Sequence, residues 1–231
     1  MTLPFFRANV EAMQAYVPGE QPSPGKAIKL NTNENPYPPS PKVASAITAA
    51  LTSLERYPDP LATAFRRAAS DVLKVNSEQI LCGNGSDDIL TIVTRAFVPE
   101  QGLVRLPYPS YILYRTLAQL QNARFEEVRF APDWTLDETF FKASSDLKLV
   151  YLPNPNSPTG TLVSREQIVA LAERLPCPLL VDEAYVDFAP FSCVDLTAKI
   201  PNLMVSRTLS KSYALAGLRF GYLVAHPEVI A

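Results

Sequence analysis

The chain has 231 residues, 47% of them apolar, and a formal net charge of −2. This length allows one large domain or two small ones, and the composition allows a sizeable buried core. The near-neutral charge lacks the basic footprint of nucleic-acid binding, so we expect no nucleic-acid partner. No apolar run reaches membrane-spanning length and the N-terminus lacks the layout of a signal peptide, so we expect no membrane association.

Cysteine and histidine are both scarce. The three cysteines, Cys82, Cys177 and Cys193, are scattered, which argues against a disulfide framework and against a zinc site. We therefore expect no metal, and a reducing cytoplasm as the location. His226 is the only histidine, which excludes any catalytic arrangement or metal site that needs a second one. Acid–base chemistry is expected to fall to Lys, Tyr, Asp or Glu.

The first 40 residues are predicted to form an N-terminal arm. Residues 16–25 are too rich in proline and glycine for a helix or a central strand, and 31–36 have the composition of a turn. We place a boundary after residue 40 and expect 41–231 to form one large α/β domain.

Two helices are predicted next. Ser40 is expected to cap the first, with Pro41 at its first position. Its apolar stripe is formed by Val43, Ala46, Ile47, Ala50, Leu51 and Leu54. The second helix is predicted over residues 61–73.

From residue 79 onward, short apolar runs alternate with helical patterns. The runs predict strands at 80–82, 103–106, 125–130, 147–152, 178–181, 203–205 and 220–225. Helices are predicted at 87–97, 110–120 and 164–174. The alternation predicts a mostly parallel sheet with helices on both faces. In such sheets a ligand binds beyond the carboxyl ends of the strands.

Polar segments follow several of these strands. The first, at 83–88, opens a helix and includes Gly85, Ser86 and Asp87. A glycine turn at a helix N-terminus is typical of a phosphate cradle, although the Gly-Lys-Ser/Thr of a nucleotide P-loop is missing. The alternative is an ordinary glycine turn with a Ser or Asp helix cap.

Two further turns carry aromatic and amide side chains. After the second strand, Tyr111 is placed to stack on a flat ring and Ser110 to cap the next helix; the alternative is that Tyr108 and Tyr111 are half-buried packing residues. The loop 154–160 is held by three prolines, and its rigid asparagines could donate to a phenolate oxygen. The alternative is a rigid turn with no chemistry.

The most informative segment contains Lys211. An amine that attacks an aldehyde must lose its proton, which desolvation or the neighbouring charges of Arg207 and Arg219 would favour. Asp182 ends an apolar run, where a carboxylate is costly unless it is paired. A lysine for a Schiff base and an acid for a ring nitrogen are what a pyridoxal phosphate enzyme needs. The alternatives are a surface lysine and an exposed aspartate; the small residues around Gly217 argue against the first.

Together these segments resemble the fold-type I pyridoxal phosphate enzymes, specifically the class I/II aminotransferases. Within them, the chain is most similar to the histidinol-phosphate aminotransferases. The resemblance covers nearly the whole chain. It rests on residues 16–20, 30–36, 56–59, 153–160, 181–185 and 207–219.

The resemblance implies a pyridoxal 5′-phosphate site. Lys211 would form the Schiff base and move the proton, Asp182 would pair with the pyridine nitrogen, and Tyr185 would bond the phenolate oxygen. Tyr111 would stack on the ring, and Asn156 would take over a phenolate contact because Ser157 stands before Pro158. The phosphate would be bound by Gly85, Ser86, Asp87, Thr208, Ser210 and Arg219.

The resemblance also implies contacts outside this cradle. Tyr16 and Asn35 would contact substrate. Tyr57 would reach the phosphate bound in a partner subunit, which requires a homodimer.

The implied reaction is transamination of imidazole acetol phosphate with glutamate, giving histidinol phosphate and 2-oxoglutarate in histidine biosynthesis. Relatives continue beyond residue 231 into a small domain that carries a substrate-binding arginine. We therefore expect this chain to be the cofactor half, with little or no activity. The alternatives are a threonine-phosphate decarboxylase, an aromatic aminotransferase, a non-catalytic remnant and a nucleotide-binding module.

Overall fold

A computed structural model describes residues 5–14, 25 and 28–231. Seven strands form one sheet, in the order β1-β7-β6-β5-β4-β2-β3. The strands are β1 (Ile80–Gly83), β2 (Leu103–Tyr108), β3 (Arg124–Arg129), β4 (Leu147–Pro153), β5 (Leu179–Asp182), β6 (Leu203–Thr208) and β7 (Gly221–Val224). β7 pairs antiparallel with both of its neighbours and the other pairings are parallel. The predicted mostly parallel sheet is confirmed.

Helices cover both faces of the sheet. They are α1 (Ala8–Glu11), α2 (Pro41–Ala50), α3 (Thr63–Leu73), α4 (Ser86–Phe97), α5 (Leu113–Leu120), α6 (Arg165–Arg174) and α7 (Pro227–Ile230). One core cluster joins α6 to the sheet and the other joins α4 and α5 to the opposite face. Strand β4 supplies Val150 and Leu152 to the first and Leu149 and Tyr151 to the second. Burial on both faces explains why this strand is apolar without alternation.

The observed helix starts show which local sequence signals were sufficient to predict where a helix begins. Ser164 caps α6 and forms a capping box with Gln167, close to the predicted start. α5 begins later than predicted, at Leu113. Ser110 does not cap it, because its hydroxyl donates to Asn156 Oδ1 at 2.9 Å. α3 also begins two residues late, because Ala62 adopts a left-handed conformation.

Helix α2 forms as predicted, with Ser40 accepting a hydrogen bond from the Lys42 amide. Its apolar stripe remains largely exposed: Ile47 is 43% exposed and Leu51 is 57% exposed. α1 lies against the end of α5, where the Asn9 side chain donates to Gln119 O at 2.8 Å. None of the described helices is long and apolar enough to cross a membrane.

The closest backbone packing near the strand ends is at Gly221 in β7. A Cβ atom at this position would lie 2.3 Å from Ser86 N and 2.4 Å from Gly85 C. Glycine therefore lets β7 pass directly beneath the turn that opens α4. By contrast, Gly217 has no heavy atom of the described residues within 4 Å of its Cβ position. Of these two glycines, Gly221 is therefore the one at which neighbouring backbone leaves no room for a side chain.

We expect Gly221→Ala to destabilise the fold by about 1–3 kcal/mol, because the added methyl meets rigid backbone. Urea unfolding measures the change, and Gly217→Ala is the matched control, with an expected change within about 0.5 kcal/mol. Equal stability of the two variants would contradict this packing.

Candidate active site

The polar segments that follow the strands meet in one cavity of about 630 Å³. It lies at the carboxyl ends of β4, β5 and β6 and beside the start of α4, where the sheet topology predicts a ligand site. Nine residues singled out from the sequence line it, namely Ser86, Asp87, Tyr111, Asp182, Tyr185, Thr208, Ser210, Lys211 and Arg219.

Lys211 follows β6 and points into this cavity. Its Nζ donates to the carbonyl oxygen of Thr32 at 2.9 Å and lies 5.6 Å from the centre of the Tyr185 ring. The Tyr185 hydroxyl in turn accepts a hydrogen bond from Asn33 Nδ2 at 3.0 Å. Residues near the end of the arm therefore cover the lysine and the tyrosine together.

Asn35 has a different place from the one expected of a substrate-binding residue. Its Nδ2 donates to the carbonyl oxygens of Lys211 at 3.1 Å and Ser212 at 3.2 Å, and its Oδ1 accepts from the Tyr37 amide. Asn35 is not among the residues that line the cavity. Its polar atoms thus hold the backbone of the lysine segment, and its contact with substrate stays a prediction.

Asp182 ends β5 on the cavity floor and is only 5% exposed. Tyr114 donates to its Oδ2 at 2.7 Å, while Ser206 at 3.0 Å and the Ala184 amide at 3.2 Å donate to its Oδ1. Burial raises the pKa of Asp182, and these hydrogen bonds act in the opposite direction. A cationic ring nitrogen would offset the remaining cost of the buried charge.

Aromatic rings form one wall beside Asp182. Tyr114 stacks on Tyr151 with ring centres 4.6 Å apart, and Tyr111 meets Tyr114 edge-on at 5.7 Å. The Tyr111 hydroxyl donates to Asp87 Oδ1 at 3.2 Å. Tyr114 was missed in the sequence analysis; its spacing of three residues from Tyr111 was the available signal.

The opposite end of the cavity suits an anion. α4 begins at Ser86, after Gly85 at φ +89°, and this N-cap glycine has no side chain to cap the first turn. Arg219 Nη2 lies 3.4 Å from Asp87 Oδ2. A Cβ at Gly85 would lie 2.8 Å from that same nitrogen, so glycine makes room for the guanidinium. A helix N-terminus beside an arginine and serine hydroxyls is a favourable phosphate site.

The hydroxyls of this end come from the segment that follows β6. Thr208 Oγ1 and Ser210 Oγ lie 2.9 Å apart, and the Ser210 amide donates to Thr208 Oγ1 at 3.1 Å. Both residues are buried and line the cavity. The turn is thus ordered by its own hydrogen bonds before any ligand arrives.

Asn156 joins two of the loops near the cavity. Its Nδ2 donates to Pro109 O at 3.0 Å and to Thr159 Oγ1 at 2.7 Å, and its Oδ1 accepts from Ser110. The side chain ties two loops together and does not line the cavity. Ser157 lines the cavity instead, and the phenolate contact implied for Asn156 stays a prediction.

Arg207 is paired with a neighbouring carboxylate. Its Nε and Nη2 donate to Glu183 Oε2 at 3.0 and 2.9 Å, and Glu183 also accepts from the Cys193 amide at 2.6 Å. The charge of Arg207 is therefore paired with a buried carboxylate. Glu183 was also missed, because its partner lies 24 residues away.

Another predicted residue, Tyr57, does not line the cavity. Tyr57 is fully exposed and lies in the turn between α2 and α3. Tyr16 lies outside the described residues. Their predicted contacts, with a partner subunit and with substrate, stay predictions.

The donor set fits pyridoxal 5′-phosphate on three observations. A buried carboxylate stands on the cavity floor, an amine stands at its mouth, and an uncapped helix start with Arg219 stands at one end. These match the ring nitrogen, the aldehyde and the phosphate of this cofactor in charge and chemistry.

The comparisons agree with this geometry. Residues 25–231 match the family model described as Aminotransferase class I and II, and the chain belongs to that family. It is 60% identical, over 98% of its length, to the histidinol-phosphate aminotransferase of Rhodopirellula baltica. It is 47% identical, also over 98%, to histidinol-phosphate aminotransferase 1 of Trichormus variabilis.

A solved structure of the same class of protein is also similar to this chain. The histidinol-phosphate aminotransferase of Sinorhizobium meliloti, crystallised in complex with pyridoxal 5′-phosphate, matches with a TM-score of 0.84 and 25% identity. The match covers 99% of this chain and 65% of that one. The chain spans 63% and 65% of the length of the two curated relatives.

The buried carboxylate makes stability depend on pH. Because the pKa of Asp182 is raised above the ordinary value of 3.8, its contribution to stability is present below that pH and is lost as pH rises through the folded-state pKa. We expect Asp182→Asn to gain stability over the cofactor-free wild-type protein as the pH is raised from about 4 to about 7. Urea unfolding at both values measures this, and an advantage confined to the acid side would contradict it.

Proposed function

We propose that the protein binds pyridoxal 5′-phosphate in this cavity and transfers an amino group between glutamate and imidazole acetol phosphate, giving histidinol phosphate and 2-oxoglutarate. The observation that carries the proposal is that Lys211, the buried Asp182 and an anion site open into one cavity. The names of the relatives from Rhodopirellula and Trichormus support the choice of substrate.

When bound, the cofactor supplies an electron sink that acidifies the Cα–H bond of an amino acid. Lys211 would hold its aldehyde carbon, and once released Lys211 Nζ would accept and return the Cα proton. Asp182 would hold a proton on the ring nitrogen. Tyr185 would donate to the phenolate oxygen, and Tyr111 would orient the ring by stacking.

The anion end would bind the phosphate. Ser86, Asp87 and Gly85 would contribute the first amides of α4, and Ser210 and Thr208 their hydroxyls. Arg219 would pair with the phosphate, and its present contact with Asp87 is long, at 3.4 Å. A phosphate is the stronger partner for the guanidinium, since it allows two charge-assisted hydrogen bonds.

A pair of lysine variants tests the proposal. We expect residues 1–231 to gain a visible absorbance band with pyridoxal 5′-phosphate, and a polypeptide extended to the length of the curated relatives to convert histidinol phosphate in the presence of 2-oxoglutarate. Lys211→Ala should lose the band and roughly 10²–10⁴-fold in rate, because it removes the proton-transfer group. Lys199→Ala, at an exposed lysine outside the cavity, is the matched control.

The comparison separates binding from chemistry. A band that survives in Lys211→Ala would contradict the assignment of the lysine. A band without turnover of histidinol phosphate, but with turnover of aromatic amino acids, would support the proposed cofactor site and contradict the proposed substrate.

We further propose that the protein works as a homodimer in the cytoplasm. The apolar stripe of α2 is exposed and the fully exposed Tyr57 follows it closely, which supports a partner at this face.

The three cysteines are unpaired thiols, which fits a reducing compartment. We also propose the division into an arm at 1–40 and a cofactor-binding domain at 41–231.

The dimer proposal predicts that Ile47→Asp raises the dimer dissociation constant at least about tenfold, because it buries an unpaired charge. Sedimentation equilibrium measures the mass. Val72→Asp places the same charge on an exposed apolar residue of α3 and should leave the mass at two chains. A monomeric wild-type protein would contradict the proposal, and so would an Ile47→Asp variant that dimerises as tightly as Val72→Asp.

A further inference from the structure

Tyr114 is a buried residue to which the proposed chemistry assigns no part. It lies in α5, is 1% exposed, and its hydroxyl donates to Asp182 Oδ2 at 2.7 Å across 68 residues of sequence. Ser206 and the Ala184 amide both donate to the other oxygen, Oδ1. Among the described residues, Tyr114 is therefore the hydrogen-bond donor to Oδ2.

The direction of this hydroxyl is held by packing. Tyr114 stacks on Tyr151 with an angle of 19° between the rings, and the ring of Tyr111 meets it at 90°. With contacts on two sides, the Tyr114 ring cannot turn its hydroxyl away from Asp182.

The protonation state of Tyr114 is equally constrained. Burial, reinforced by the nearby carboxylate, raises the pKa of Tyr114 well above its ordinary value of 10.0. The Tyr114 hydroxyl therefore keeps its proton at working pH and donates it in the hydrogen bond to Asp182. Two other groups face Asp182 from neighbouring elements: Ser206 in β6 stabilises the charged form, and Asp87 in α4 opposes it.

We propose that Tyr114 is a positioning residue for the cofactor: its hydroxyl fixes the orientation of the Asp182 carboxylate and keeps it ionised for the ring nitrogen. The inference rests on the proposed cofactor site. The inference gives different roles to two tyrosines three residues apart. Tyr111 would contact the cofactor ring directly, whereas Tyr114 would act through Asp182.

The first test uses the cofactor-free protein. Aspartate carboxyls are labelled with ¹³C and titrated by NMR, and Asp182→Asn identifies the signal of Asp182. Tyr114→Phe keeps the ring and removes the donor, so the titration midpoint of Asp182 should rise by about one pH unit or more. Tyr151→Phe removes a hydroxyl from the same stack without touching Asp182 and should leave the midpoint unchanged.

The second test measures the affinity for pyridoxal 5′-phosphate at pH 7. Tyr114→Phe should weaken it about tenfold, and Tyr151→Phe should not. An unmoved Asp182 midpoint in Tyr114→Phe overturns the inference, as does a moved midpoint with unchanged affinity. A wild-type protein that binds no cofactor overturns the proposed site as well, and the titration then still shows whether the Tyr114 contact exists.

Discussion

The buried carboxylate of Asp182 is the constraint around which the site is built. A carboxylate that is 5% exposed is costly unless donors surround it, and three donors, from α5, from β6 and from the turn after β5, converge on it. Each donor is fixed by the packing of the element that carries it. The sheet and its helices therefore hold a negative charge at the floor of a cavity, where a cationic ring nitrogen would complete the pairing.

The same fold brings the other half of the chemistry to this charge. β6 lies beside β5, so the segment after it carries Lys211 and Ser210 into the cavity that Asp182 floors. β7 returns antiparallel and delivers Arg219 from the connection before it, while Gly221 lets the strand pass beneath the start of α4. Three adjacent strands, β5, β6 and β7, thus bring Asp182, Lys211 and Arg219 to one cavity.

Much of this was predictable from sequence, because the signals are local. Apolar runs identified all seven strands, and Lys211, Asp182 and Arg219 stand in segments whose chemistry is distinctive. What escaped prediction depends on distant contacts: Tyr114 matters through a partner 68 residues away, and Glu183 through Arg207. Composition also did not show that the Asn156 amide forms hydrogen bonds between two loops.

The most direct test is chemical trapping at the lysine. The protein is mixed with pyridoxal 5′-phosphate, reduced with borohydride and digested, and the modified peptide is identified by mass spectrometry. The account predicts a single phosphopyridoxyl group on Lys211. Label on other lysines with Lys211 unmodified would contradict it.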